Sequence, residues 1–296
     1  MKALFVTTET VDCNNHVRAW DSCFPKAQHF VFDRATINNA WQATDLARKA
    51  APDIIFYIGA NEGTGLPKRG DFKQLRSIAP LINICSDAVD EPWHKTLGVY
   101  RQHNCFDLQV SIDGALNAPV DHATLTPIDP TPFAITVDRD IRCGFSGSVG
   151  RWNARSEIIK SLVWFAGLQV RDRKTGENSY EDHAEFMKRC RLLLNISNTG
   201  TGLAHHIKGR VVEAGWAGCA LLENEGSIIG EWFPDDCYFT YHDPVHAKHL
   251  IDTLTDKEIN DVASRLTEEV QSRYTAKQIY QGIIDCVGIT ESQQTA

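Results

Sequence analysis

The sequence predicts an α/β protein of two similar halves, each a Rossmann-like parallel sheet flanked by helices. Short β-rich apolar runs alternate with helix-length segments from end to end, the pattern of parallel strands joined by crossover helices. A proline-rich interruption falls near the middle, and a length of 296 residues suits two domains of about 150 residues each.

In the first half the strand candidates are Ala3 to Thr7, His29 to Phe32, Asp53 to Ile58, Leu81 to Cys85 and Phe106 to Ile112, each a short run of apolar, β-branched or aromatic residues. Helical stretches lie between them, such as Asn39 to Ala50 and Asp71 to Ile78. The segment PVDHATLTPIDPTPF, Pro119 to Phe133, holds four of the eleven prolines and stops the periodicity, because proline removes a backbone donor and pushes its predecessor toward extended geometry. The domain boundary is placed there, giving domains 1–133 and 134–296.

The pattern then restarts with strand Ile141 to Phe145, helix Asn153 to Phe165, strand Leu168 to Arg171, helix Tyr180 to Lys188 and strand Leu192 to Ile196. Helix Ala204 to Ala217, strand Ala220 to Glu223 and strand Cys237 to Tyr241 follow, and three helices at about 245–254, 256–272 and 276–287 close the chain. Two such sheets facing a central cleft bind ligands beyond the carboxyl ends of their strands.

Composition narrows the chemistry. A net charge of −8 argues against a broad grip on a nucleic-acid backbone. Nine scattered cysteines without a Cys-x-x-Cys pair suggest neither a disulfide framework nor a zinc ribbon. The start MKALFVTTET lacks a signal-peptide pattern, and no apolar run is long enough to span a bilayer, so a cytoplasmic location is expected.

Two segments carry anion-binding chemistry. In CRLLLNISNTGTGLAHHIKGR a strand runs into a polar loop, Asn198, Thr199, Gly200, Thr201 and Gly202, and then a helix whose start offers unpaired amides and the positive end of its dipole. On that helix Ile207, Val211 and Ala214 are expected to face the core, with His206, Arg210 and Glu213 on another stripe at i, i+4, i+7. Lys208 and Arg210 suit a diphosphate, and Glu213 suits ribose hydroxyls. In DIRCGFSGSVGRWNARSEIIKSL a strand leads through Gly144, Gly147 and Gly150 to Arg151 and Arg155 at a helix start, where an anion would offset cations placed against the dipole.

The motifs FSGSVGRWNAR and KGRVVEAGWAGCALLEN, with FPDDCYFTYHDPVHAKHLID beyond them, resemble the C-terminal domain of GT-B glycosyltransferases of group 1, in particular the CgeB-like (spore maturation protein) branch. The resemblance covers about residues 140–287. It implies a GT-B fold and sugar transfer from a nucleotide-sugar donor, a substrate and not a cofactor, with no metal and with retention of anomeric configuration. It further implies that Arg151 or Arg155 and Lys208 contact the diphosphate, Glu213 the ribose, and Asn198 to Gly202 the phosphate and sugar. Relatives carry a second glutamate eight positions before the helix glutamate; here that position is His205, so His205 or His206 takes the sugar-side role. The acceptor, a glycan, protein or small molecule, is expected on the first half, where His16, in the loop after the first strand, and Asp87, at the end of LINICSD, are candidate catalytic groups. A non-catalytic nucleotide-sugar-binding protein and a sugar-nucleotide epimerase stay open as alternatives.

Other motifs carry less. Asp138-Arg139-Asp140 mimics a metal-binding Asp-x-Asp but sits beside the linker at the start of an α/β unit. His242, His246 and His249 follow a helix start at Asp243-Pro244 and read as surface histidines. GFSGS lacks the last glycine of a nucleophile elbow, and GANEGTGLPKRG lacks both the dinucleotide fingerprint and the P-loop ending. Trp152 and Trp216 flank the expected site.

Overall fold

The computed structural model describes residues 1–8, 13–32, 40–60, 66–149, 153–172, 179–198 and 204–288, without the side chains of 8, 13–17, 40, 153 and 154. The chain divides into two compact units, Met1–Pro127 joined by the segment from Ala276, and Ile128–Thr275.

In the first unit the described elements are β1 (Ala3–Thr8), α1 (Cys13–Cys23), β2 (Gln28–Phe32), α2 (Ala40–Ala50), β3 (Ile54–Ile58), α3 (Arg69–Arg76), β4 (Leu81–Cys85), α4 (Trp93–Gln102), β5 (Leu108–Ser111) and the short β6 (His122–Ala123). The strands pair in parallel in the order β2-β1-β3-β4-β5-β6. Alternation along β1 divides its side chains between two cores. Leu4 and Val6 join Ile55, Tyr57, Phe72 and Leu81 on one face. Phe5 points the other way and stacks on Trp20 of α1 at 4.3 Å and on Phe56 at 4.9 Å.

The last helix, α10 (Ala276–Cys286), belongs to this same aromatic face. Ala276, Ile279, Tyr280, Ile283 and Ile284 form its buried stripe, and the Tyr280 ring meets Phe24 edge-on at 5.2 Å and Phe56 at 5.7 Å. This corrects the expected continuous second domain 134–296. Periodicity announces an amphipathic helix but is silent about which core receives its apolar side. A second correction concerns His16, which lies in α1 and not in a loop.

The second unit contains β7 (Ile141–Gly147), α5 (Asn153–Ala166), β8 (Gln169–Asp172), α6 (Tyr180–Arg189), β9 (Cys190–Asn195), α7 (Gly209–Ala217), β10 (Ala220–Asn224), β11 (Tyr238–Tyr241), α8 (Pro244–Thr253) and α9 (Asp256–Arg273). Its parallel sheet has the order β11-β10-β9-β7-β8. From β7 the chain moves outward to β8 and then returns to place β9 on the opposite side of β7, so the strand order reverses between β7 and β9. The carboxyl ends of those two strands therefore flank the crevice that doubly wound sheets use for ligands.

Helix α7 is fixed closely beside this point. Gly218 ends it in the left-handed region at φ 67, as an αL cap requires. Gly215 lets α7 approach α9, since a Cβ there would lie 2.8 Å from the Cβ of Val270. Ile207, Val211 and Ala214 are buried, as their spacing predicts. The expected helix Ala204 to Ala217 nevertheless starts only at Gly209, with Lys208 as its N-cap. Residues 204–208 lie outside the helix instead: His205 bridges to Asn198 in antiparallel fashion, and the His206 amide donates to the Ser197 carbonyl at 3.1 Å. His206 is therefore not on the stripe that carries Arg210 and Glu213.

Candidate functional site

The carboxyl ends of β7, β9 and β10 and the first half of α7 bring together a chain of polar side chains. Glu213 is 9 % exposed, the sort of burial a carboxylate tolerates only when partnered. Its Oε1 accepts from the Tyr180 hydroxyl at 2.8 Å, and its Oε2 lies 3.1 Å from His183 Nε2. Burial, the largest influence, favours the neutral acid. The charge and hydrogen bond of His183, the Tyr180 hydroxyl and Arg210 outweigh it and bring the carboxyl down to about 2. An ionised carboxylate only accepts hydrogen bonds, which suits it to hydroxyl donors.

Arg210, one helical turn earlier, is held in place by the protein. Its Nε donates to the Ser146 carbonyl at 2.6 Å, its Nη1 donates to Asn195 Oδ1 at 2.7 Å, and its guanidinium carbon lies 4.6 Å from the centre of the Phe145 ring. One planar cation thus bridges the ends of β7 and β9 across the reversal in strand order. Gly147 makes room for it: its φ is 149, and a Cβ there would collide with Arg210 Nη2.

The hydroxyl of Ser146 meets His183 Nδ1 at 2.7 Å, which completes a Ser146–His183–Glu213 string. The residue types are those of a hydrolytic triad, but the serine is only 2 % exposed, which denies a substrate carbonyl access to it. The exclusion of a serine hydrolase drawn from GFSGS therefore acquires a structural reason.

Behind Arg210 lies a second carboxyl. Asn195 Nδ2 donates to Glu223 Oε2 at 2.6 Å, and the Tyr241 hydroxyl donates to the Asn195 carbonyl at 3.2 Å. Burial pushes Glu223 from its ordinary 4.5 to about 7, against hydrogen bonds from Asn195, Ser197, Asn224 and Ser227 that work in the opposite direction. The native state thus keeps a proton between these pH values that the unfolded chain releases. The stability this group contributes is complete below pH 4.5 and is lost as pH rises to 7. Glu223→Gln is accordingly expected to exceed the parent protein in stability at pH 8 by up to about 3 kcal/mol, with the difference disappearing by pH 4.5, as urea unfolding at the two pH values would measure. An unchanged difference at both would show that Glu223 is ionised in the fold.

The remaining predicted residues fall as follows. Arg155 is buried on α5 and donates from Nη2 to the Asn198 carbonyl at 3.1 Å. His205 Nδ1 lies 3.1 Å from Ser197 Oγ, and burial lowers its pKa. His206 is 1 % exposed, and its Nε2 contacts Lys208 Nζ. Arg151, Trp152, Thr199, Gly200, Thr201 and Gly202 lie outside the described residues, as does the side chain of His16. Trp216 is half-buried on α7. Asp87, in the first unit, follows β4 with a left-handed φ of 59, uncommon for a residue with a side chain and most often met at functional or turn positions. Tyr180, His183, Ser146 and Asn195 join the site only through the packing of α6, β7 and β9 around α7.

The rejected motifs have structural duties. Arg189 pairs with Asp140 at 2.8 and 2.5 Å, and Arg139 donates to the Cys190 and Ala217 carbonyls at 2.6 and 2.8 Å. Asp243 caps α8 by accepting from the His246 amide at 2.8 Å, with Pro244 in the first turn as expected. No described helix is long and apolar enough to cross a membrane.

Comparison with known proteins gives a family match over residues 134–285, to the family described as glycosyl transferase-like. A comparison with curated protein sequences gives no match. Among solved structures, Alr3699/HepE from Anabaena in complex with UDP-glucose is 11% identical with a TM-score of 0.68, over 97% of this chain and 99% of that one. An alpha-glucosyltransferase in complex with UDP and a mismatched 13-mer DNA is 11% identical with a TM-score of 0.66, over 98% and 100%. A glycosyltransferase from Rickettsia africae is 8% identical with a TM-score of 0.63, over 100% and 99%. At these identities the likeness is one of fold: two Rossmann-like α/β domains of the GT-B type.

Proposed function

Since the chain belongs to the glycosyl transferase-like family, we propose that it transfers a hexose from a nucleotide-sugar donor held at the carboxyl ends of β7 and β9, as a member of the CgeB-like branch. The observation that carries this reading is the ionised, nearly buried Glu213 beside the strand-order reversal, a carboxylate suited to ribose hydroxyls. Lys208 at the N-cap of α7 and Arg155 beside the Asn198 carbonyl supply cations for the diphosphate, and the positive end of the α7 dipole adds to them. Arg210, already donating to Ser146 and Asn195, organises the seat. His206 steadies Lys208, and His205 faces the sugar in the position of the family carboxylate.

In the reaction, the bond between the sugar's anomeric carbon and the diphosphate oxygen breaks, the diphosphate leaves with the electron pair, and an acceptor hydroxyl bonds to that carbon and loses its proton. Cationic side chains and helix amides stabilise the leaving charge without a metal, and the configuration is retained. Asp87 is the candidate partner for the acceptor hydroxyl. Because UDP or UDP-glucose occupies several of the similar structures, UDP-glucose is the first donor to test.

The test is a thermal-shift screen against UDP-, GDP-, ADP-, TDP- and CMP-sugars, followed by turnover with EDTA present and identification of the product anomer. Stabilisation by one donor family and EDTA-resistant transfer or slow hydrolysis support the proposal. Binding without cleavage would assign a non-catalytic binding protein, and interconversion of the free donor an epimerase. Stabilisation by none of the donors would remove the site itself.

A further inference from the structure

Two residues three apart on α7 are tied to the carbonyl and the hydroxyl of a single residue at the end of β7. Arg210 holds the Ser146 carbonyl at 2.6 Å, while Glu213 reaches the Ser146 hydroxyl through His183, at 3.1 Å and 2.7 Å. An ionised carboxylate only accepts, so the proton between His183 and Glu213 resides on Nε2. Nδ1, on the other side of the ring, faces the Ser146 hydroxyl. Tyr180, three residues before His183 on α6, occupies the other Glu213 oxygen, and its ring centroid lies 5.4 Å from that of His183. Both carboxylate oxygens are thus held by side chains of α6, which fixes the orientation of the carboxylate.

We propose that His183 is a positioning residue for donor recognition: it ties Glu213 to Ser146 at the end of β7 so that the carboxylate is aimed at the ribose hydroxyls. The proposal rests on the donor reading above. It makes His183 responsible for telling a ribose from a deoxyribose, although it touches neither. Alternative duties for the histidine make different forecasts. A residue that merely packs α6 against α7 would, when changed, weaken all nucleotides alike.

The experiment compares UDP with 2′-deoxy-UDP, or the corresponding pair of whichever diphosphate the donor screen selects, by calorimetric titration of the parent protein, His183→Ala and His183→Gln. The parent is expected to favour the ribonucleotide by about tenfold, the size of one hydrogen bond to a charged acceptor. In His183→Ala that preference should fall to about one, with the ribonucleotide losing more affinity than the deoxynucleotide, which has only its 3′-hydroxyl contact to lose. His183→Gln, whose amide can donate to Glu213, should regain part of it. Melting curves accompany each titration, and the glutamine variant carries the comparison if the alanine variant does not fold. A ribonucleotide preference kept in both variants overturns the proposal, as does an equal loss for both nucleotides. A parent protein that binds UDP but ignores the 2′-hydroxyl overturns the positioning role and leaves the donor reading standing; a parent that binds no nucleoside diphosphate overturns both.

Discussion

Glu213→Ala is expected to cut nucleotide-sugar affinity by about 100-fold or more and to destabilise the second unit by about 3 kcal/mol. Two separate losses combine. The ligand loses its charge-assisted acceptor, and the protein is left with a Tyr180 hydroxyl and a His183 N–H directed at a small space that no longer holds an oxygen. Each unsatisfied buried donor costs about 1–3 kcal/mol. Glu213→Gln separates the two effects because it keeps the volume and one acceptor. Its deficit has a defined pH signature. The Glu213 carboxyl titrates at about 2 in the fold against an ordinary 4.5, so the stability its charge contributes is present above pH 4.5 and lost as pH falls toward 2. Calorimetry with the selected nucleotide and urea unfolding at pH 7 and pH 3 measure the two parts. A folded alanine variant with parental affinity would end the assignment of Glu213 to the donor.

The second large effect is expected at Gly147. Alanine there places a Cβ against Arg210 Nη2 and is strained at φ 149, so either the β7 loop or the guanidinium must move. Displacing Arg210 frees the Ser146 carbonyl and Asn195 Oδ1 from their donor, and a loss of about 2–4 kcal/mol follows from leaving two acceptors poorly satisfied. Arg210→Lys should fail to substitute, since a single ammonium cannot reproduce the planar fork that spans β7 and β9. The distinguishing measurement is the double variant. Once Arg210→Ala has removed the colliding group, adding Gly147→Ala should cost much less than it does alone, leaving only its backbone strain. Full additivity in denaturant unfolding would mean that Gly147 is required for a reason unrelated to Arg210.

Most of the sheet was legible because parallel strands buried on both faces are continuous apolar runs, and LINIC at β4 was located to the residue. The helix spacing of Val211 and Ala214 likewise identified the core side of α7. The misread start of α7 has a local cause. His206, Arg210 and Glu213 satisfy a helical spacing, but the antiparallel bridge between Asn198 and His205 and the His206 amide bond to Ser197 keep the chain out of the helix there. Nothing in AHHIK advertises that bridge. Tyr180 and His183 escaped notice for a different reason. They reach Glu213 from 33 and 30 residues away through the packing of α6 on α7, and their own sequence, YEDHAEF, reads only as an amphipathic helix. Ser146 is part of GFSGS, a motif that suggests a nucleophile and not a partner for a histidine 37 residues away. The preceding glycine, Gly144, packs tightly for a purely structural reason, since a Cβ there would meet the Phe186 ring at 3.1 Å.

The placement of α10 bears on how this protein can be taken apart. Residues 128–275 form an uninterrupted stretch that can be produced as a fragment, whereas 1–127 alone would lack Ile279, Tyr280 and Ile283, baring the rings of Phe24 and Phe56. A recombinant N-terminal piece therefore calls for the closing helix to be supplied, by a linker fusion or as an added peptide, if its aromatic face is not to drive aggregation.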